Sequence, residues 1–148
     1  MAARGSWWRF GLLLLLLTGC TASSGELGLT AGVLAPCPPS PNCVCSEDPE
    51  AAGYVAPLIF SGEPAAAWTE IQSCINALGG EVRKVEENYL WATFESDLFH
   101  FVDDLELRLS AAKQRIQVRS AARVGYWDLG VNADRVEALR KMFAQRER

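Results

Sequence analysis

Two runs of alternating apolar and polar residues, separated by a short polar stretch, constrain the fold of this chain most strongly. Leucines alternate with charged residues over residues 105–109 (LELRL), and Ile116 and Val118 alternate with polar residues over residues 115–119 (RIQVR). A period of two is typical of a strand with one buried face. The pattern therefore predicts an antiparallel hairpin that turns at residues 111–114.

The register of this hairpin determines where its charged side chains lie. A register that puts every apolar residue on one face also places Glu106 directly opposite Arg119. Asp104 lies on the same polar face, one step along the strand, whereas Asp103 lies on the leucine face. Because neighbouring strand residues point to opposite faces, these two carboxylates cannot act together on one reacting atom.

The rest of the chain predicts two helices and two more strands. Proline suits a first helical turn, so a helix is expected to start near residues 61–64 and to stop at Gly79-Gly80. Strands are expected around residues 82–85 and over residues 89–95. Asn132 is a good N-cap for a second helix, whose buried stripe comprises Val136, Leu139 and Phe143. This order predicts a single small α+β domain, an antiparallel sheet of about four strands with two helices packed on its apolar face.

The N-terminus has the pattern of an export signal. Two arginines precede six consecutive leucines, residues 12–17, and Leu17-Thr18-Gly19-Cys20 follows. The apolar run is too short to span a bilayer comfortably, so residues 1–19 are predicted to be a signal peptide. The Leu-Thr-Gly-Cys string resembles a bacterial lipobox, which implies that Cys20 is lipidated and becomes the new N-terminus. An ordinary secretory signal peptide with a chance cysteine is the alternative.

The composition of the mature chain predicts how it is attached to a membrane and which partners its charge disfavours. Residues 20–33 are small and polar and are predicted to form a flexible tether, which leaves residues 34–148 as the domain. Without residues 1–19, 12 basic residues face 18 acidic ones, a net charge of −6, which argues against nucleic acid and against electrostatic binding to anionic lipid. The acyl chains would therefore supply the membrane anchor on the periplasmic side. Thr21, which is not the aspartate of inner-membrane retention, slightly favours the outer membrane.

Four cysteines remain beyond Cys20, and an even number in an exported chain suggests disulfides. Cys37 and Cys43 flank a stiff proline-rich segment that presents them to each other, which leaves Cys45 and Cys74 as the second predicted pair. A zinc site is the alternative, but C-x₅-C-x-C lacks the usual C-x₂-C spacing. No metal and no other cofactor is predicted.

Three motifs far apart in the chain resemble the DUF1499 family of bacterial proteins. They are PCPPSPNCVCS (residues 36–46), FVDDLEL (101–107) and RSAARVGYWDLGVNADRVEALR (119–140). The resemblance implies a family whose biochemical function is not established, often exported or membrane-associated, and it supplies no catalytic residues. Cys45 and Ala122 stand where serine is common, and Trp127 replaces the serine of the usual Ser-Asp-Leu-Gly. The change at Cys45 makes the second disulfide look particular to this chain.

Candidate binding residues gather in the acidic pair and in the segment after the last strand. They are Asp103, Asp104, Arg119, Arg123, Asp128, Asn132 and Arg135. Three arginines close in sequence can bind a carboxylate or phosphate through paired hydrogen bonds. Glu106, Asp104 and Asp128 can also satisfy them, so internal ion pairs are expected. Asp103 is expected to cap the start of its strand, bonding loop amides or an arginine. The alternative is a general base or metal ligand.

The remaining candidates bear on the class of function. One ring of Tyr126-Trp127 is expected to pack under the last helix, the alternatives being a sugar-stacking platform or a membrane contact. His100, the single histidine, is expected in a strand near the sheet edge, and no nucleophile–base motif accompanies it. These observations favour a non-enzymatic binding or structural module, binding an envelope protein or a small anionic ligand through residues 119–132. The alternative is an envelope hydrolase or isomerase that uses Asp103 or Asp104 with an arginine.

Overall fold

The computed structural model describes residues 26–146, so the predicted signal peptide and Cys20 lie outside the described residues. The elements are β1 (Leu29–Thr30), β2 (Val33–Leu34), β3 (Cys43–Cys45), β4 (Leu58–Ile59), α1 (Pro64–Ala77), β5 (Glu81–Val85), β6 (Tyr89–Glu95), β7 (Val102–Ser110), β8 (Arg115–Ala122) and α2 (Val131–Arg146). Six strands form one antiparallel sheet in the order β3-β8-β7-β6-β5, with β4 also pairing with β8. β1 and β2 form a separate small hairpin.

The predicted hairpin is confirmed as β7 and β8, the centre of the sheet. Leu107 lies opposite Val118, and Glu106 lies opposite Arg119, as the alternation predicts. The turn is a single 3-10 turn, Ala111–Lys113, and Gln114 closes it with a φ of 46°.

Both helices pack on the face that carries the hairpin's leucines. Ile71 and Ile75 of α1 and Leu139 and Phe143 of α2 bury there against Leu105 and its neighbours. Pro64 lies in the first turn of α1. The predicted α+β domain is confirmed, with a larger sheet than about four strands: β5–β8 are the predicted ones, while β3 and β4 add short edge pairings.

The opposite face of the sheet is covered by the β1–β2 hairpin. Leu34 packs there with Cys45 and Tyr89, and the backbone NH of Gly28 donates a hydrogen bond of 2.7 Å to Glu106 Oε1. The end of the predicted tether segment, from Gly28 onward, therefore lies against the domain. Residues 20–25 lie outside the described residues, and their role as a tether stays a prediction.

One of the two predicted disulfides is present. Cys37 and Cys43 are joined, with their Cα atoms 5.6 Å apart. The predicted Cys45–Cys74 disulfide is not formed. Cys45 belongs to the cluster under the β1–β2 hairpin, whereas Cys74 belongs to α1 on the other face. The sheet separates the two side chains, and a disulfide needs Cα atoms within about 7 Å.

Two local expectations are corrected. Asn132 does not cap α2 from outside: it is the second residue of the helix and is fully buried. Asp128 caps the helix instead, accepting hydrogen bonds from the backbone NH groups of Gly130 and Asn132. His100 lies not in a strand but in the loop between β6 and β7, with a φ of 53° and an exposed ring.

Candidate functional site

The predicted binding residues do not form one site, because the sheet divides them. Asp104, Arg119 and Arg123 lie on the face covered by the β1–β2 hairpin. Asp103, at the strand position next to Asp104, points instead toward α2. There it accepts a hydrogen bond from Arg135. Arg135 also bonds Asn132, which in turn bonds Asp128 in the loop before the helix.

A buried ion pair lies at the centre of the hairpin-covered face. Arg119 Nη1 donates to Glu106 Oε2 at 2.8 Å, and neither side chain has any solvent exposure. The hydroxyl of Tyr89 donates to the other carboxylate oxygen at 2.8 Å. Burial and this bond to a carboxylate raise the pKa of Tyr89 above its ordinary range. Together with the NH of Gly28, these groups surround the carboxylate of Glu106 with donors, so this pair belongs to the scaffold.

Asp104 is held in the same way nearer the sheet end. Arg123 donates to both of its carboxylate oxygens, at 2.9 and 2.8 Å, and Trp91 Nε1 donates to one of them at 2.8 Å. The hydrogen bond to Asp104 raises the pKa of Arg123. Asp104 is 1% exposed and Arg123 is 41% exposed, so the carboxylate is enclosed and the guanidinium covers it.

Asp103 and Arg135 form the corresponding pair on the helix face. Arg135 Nη2 donates to Asp103 Oδ2 at 2.7 Å, while Nη1 donates to Asn132 Oδ1 at 2.5 Å. Asn132 Oδ1 also accepts the hydroxyl of Ser120. The guanidinium lies 4.7 Å from the ring centroid of Phe94, a cation–π distance. The expected internal pairing of the arginines is present, and Asp103 bonds an arginine at the start of its strand.

Asp128 differs from the expectation that it would pair with an arginine. Burial raises the pKa of its carboxyl, but hydrogen bonds from the backbone and side chain of Asn132 and from the NH of Gly130 outweigh burial, so the pKa lies below its ordinary value. A carboxylate at a helix N-terminus also interacts favourably with the helix dipole. Asp128 thus fixes the start of α2 and, with it, the position of Arg135.

A cleft of about 480 Å³ opens beside the Asp103–Arg135 pair, between the β6–β7 loop and the loop that leads into α2. The two side chains of the pair are 13% and 12% exposed, so they line the cleft with a polar, charge-balanced surface. The remaining walls are mostly apolar and comprise Phe94, Phe101, Ala122, Val124, Trp127 and Val131, with Glu95, Ser96 and Asp128 as further polar residues. Asp104 does not line the cleft, so the two aspartates do not share it.

Large apolar side chains stand exposed around this cleft. Leu98, Phe99 and Phe101 project from the β6–β7 loop, and Tyr126, Trp127 and Leu129 project from the loop before α2. Trp127 lines the cleft, whereas Tyr126 borders a separate hollow beside residues 37–43. We call residues 98–101 and 124–131 the apolar rim. Tyr126 and Trp127 are 68% and 66% exposed, so the expectation that one ring packs under the last helix is wrong.

Sequence reasoning did not single out Phe94, Phe101 and Val124 of the cleft wall. The only signal was the aromatic pair in FHF, residues 99–101. Nothing local to the sequence indicates that this loop lies beside residues 124–131. The backbone NH of Arg123 bonds to the carbonyl of Val102, which joins the ends of the two loops across β7 and β8.

Two features are not found in the part of the chain that the structure describes. Within residues 26–146, no three histidine, cysteine, aspartate or glutamate side chains lie close enough together to hold a metal ion. None of the helices within residues 26–146 is long and apolar enough to cross a membrane.

The fold and the cleft define a small α+β domain with buried ion pairs on both sheet faces and an apolar rim at one end. The model of the DUF1499 family, described as a protein of unknown function, matches residues 33–143, so the chain belongs to this family. A search of curated proteins found no match to the chain.

Proposed function

We propose that this chain is a lipid-anchored protein of the bacterial cell envelope, and that its domain is a non-enzymatic binding module. The anchor would be Cys20, held in the membrane by its acyl chains and joined to the domain through the residues before Gly28. The Cys37–Cys43 disulfide supports an exported, oxidising location, because such bonds persist there and are rare in the cytosol.

We further propose that the cleft is the binding site and that its ligand is a small amphiphile. The observation that carries this proposal is the combination of apolar walls with the charge-balanced Asp103–Arg135 pair. A volume of about 480 Å³ lies in the range of small-molecule sites, which are mostly apolar with a few polar groups. Arg119, Arg123 and Arg135 are each held by a carboxylate, which favours such a ligand over a small anion.

The non-enzymatic part of the proposal is supported by the separation of the acids. A hydrolase or isomerase that used Asp103 and Asp104 with an arginine would need them around one concave site. Asp104 is instead enclosed on the opposite face by Arg123 and Trp91. Of these two aspartates, Asp103 lines the cleft and Asp104 does not, and the carboxylate of Asp103 is already paired with Arg135.

Filling the cleft tests the binding proposal. Val131 lines the cleft and is 48% exposed, so Val131→Trp should occlude it without entering the core. Val85 on β5 has a matched exposure of 46% and lies outside the cleft, which makes Val85→Trp the control. The naphthylamine dye N-phenyl-1-naphthylamine should bind the wild type and the control equally, and Val131→Trp at least tenfold more weakly. Equal binding by all three, or none by the wild type, would exclude the cleft as the site.

A further inference from the structure

We infer that the apolar rim is a membrane-contact surface, which rests on the bilayer that holds the acyl chains of Cys20. This inference rests on the proposed lipid anchor and extends it from the N-terminus to the folded domain. It also gives the cleft a source of ligand, because an amphiphile in that bilayer would lie at the mouth of the cleft.

The first argument is the composition of the apolar rim. Tryptophan and tyrosine favour the boundary between lipid and water, because each combines an apolar ring with a polar group. Trp127, Tyr126 and Phe99 stand at least 66% exposed at one end of the domain. Isolated exposed apolar residues are ordinary, whereas a contiguous group marks an interaction surface.

The second argument is the backbone of Leu129. Its φ is 60°, in the left-handed region that disfavours side chains with a Cβ, and its side chain is 72% exposed. Asparagine or glycine would fit this position with less strain, and the side chain gains little packing in exchange. A large apolar residue held outward against its backbone preference indicates an interaction made outside the domain.

The third argument is the distance between domain and anchor. Gly28 is fixed to Glu106 by a hydrogen bond, and seven residues separate it from Cys20. The eight residue steps between them reach about 28 Å at most when the chain is extended. A lipid on Cys20 therefore keeps the whole domain beside the bilayer, so that even weak apolar contacts are made at a high effective concentration.

The small number of basic residues in the two loops indicates that the membrane contact is apolar rather than electrostatic. Residues 96–101 and 123–131 contain a single arginine, Arg123, and no lysine, and Arg123 is held by Asp104. Binding to anionic lipid through basic side chains is therefore absent from these two loops. The contact depends on apolar burial and is expected to be insensitive to salt.

Fluorescence quenching tests the inference on the lipidated mature protein. Protein extracted from bacterial membranes would be reconstituted in vesicles of phosphatidylethanolamine and phosphatidylglycerol, with and without brominated acyl chains. The other two tryptophans of the mature chain are Trp68, which is buried, and Trp91, which is bonded to Asp104. Trp127→Phe keeps both of them, so it measures the quenching that does not come from Trp127. Brominated lipid should quench the wild type at least threefold more than Trp127→Phe, equally in low and high salt.

A substitution pair tests the same surface without removing the reporter. Leu129→Asn should reduce the quenching of Trp127 at least twofold, because asparagine tolerates the left-handed backbone but does not enter lipid. Ile59 is 64% exposed on β4, which pairs beside the far end of β8, and Ile59→Asn should leave the quenching unchanged.

The possible outcomes distinguish a failure of the proposed lipid anchor from a failure of the proposed membrane contact. Protein that floats with vesicles after a carbonate wash but shows no bromine quenching of Trp127 would overturn the inference and leave the anchor intact. Protection of Trp127 from acrylamide without bromine quenching would also overturn it, because a partner protein or a second copy would then cover the apolar rim. Protein that does not float has no anchor, and the inference would fall together with the proposed function.

Discussion

The buried pair between Glu106 and Arg119 gives the sharpest prediction about stability. Both side chains are completely enclosed. Arg119→Met would leave the carboxylate of Glu106 in the interior with the Tyr89 hydroxyl and the Gly28 NH as its remaining donors among the described residues. Removing one partner of a buried pair costs about 3–5 kcal/mol. We expect the free energy of unfolding to fall by that amount.

The double variant separates the stranded charge from lost packing. Glu106→Gln keeps acceptor atoms for Tyr89 and Gly28 but carries no charge. Combined with Arg119→Met, it should recover about half or more of the loss, because the interior then holds no unpaired ion. Urea unfolding followed by tryptophan fluorescence, with the disulfide intact, measures all the variants.

A matched surface pair provides the control. Arg83 and Glu81 are 43% and 65% exposed, and exposed pairs contribute about 0–1 kcal/mol. Arg83→Met should therefore cost less than about 1 kcal/mol. The reasoning would be refuted if Arg119→Met cost no more than Arg83→Met, or if the double variant were as unstable as the sum of the single ones.

Three further predictions follow from the cysteines and from Asp128. Replacing Cys37 and Cys43 by serine should lower the free energy of unfolding by about 2 kcal/mol in a urea melt, because the closed loop is short. Burial raises the pKa of the Cys45 thiol, so Ellman's reagent at pH 8 should modify it only after unfolding, and fast modification of native protein would contradict its placement. The lowered pKa of Asp128 means that its stabilisation is present above its ordinary value of 3.8 and is lost as the pH falls through the lower folded pKa. Asp128→Asn should flatten the acid limb of stability against pH, which an unchanged limb would disprove.

The hairpin and the helices were predictable because their signals are local. The alternation of residues 105–109 and 115–119 fixes the face of each side chain, and with it the pairing of Glu106 with Arg119. β3 and β4 have three and two residues, too few to show a period. Their places depend on pairing with β8, which no neighbouring residue indicates.

The predictions for the cap of α2 and for the second disulfide were wrong for a different reason. Asp128 and Asn132 are both good capping residues, and the choice between them depends on the turn at Leu129 and Gly130, where φ is positive at both. Pairing Cys45 with Cys74 was an inference from their number. Which face of the sheet each would occupy depends on the tertiary packing.

The candidate site was predictable only in part. The ion pairs of the arginines followed from the acids nearby in the sequence. The cleft did not, because it forms where residues 96–101 meet residues 124–131, two segments brought together by the β7–β8 pairing. The sequence showed Tyr126 and Trp127 but not the aromatic loop beside them.

Hydrogen–deuterium exchange, compared between the lipidated protein on vesicles and a Cys20→Ser variant that carries no lipid and stays in solution, tests the central claim most directly. Amides of residues 96–101 and 124–131 should exchange more slowly in the lipidated protein on vesicles. The turn at Ala111–Lys113, at the opposite end of β7, should exchange equally in both. Slower exchange at that turn, or no change in the two loops, would contradict the claim that the apolar rim is the working surface of the protein.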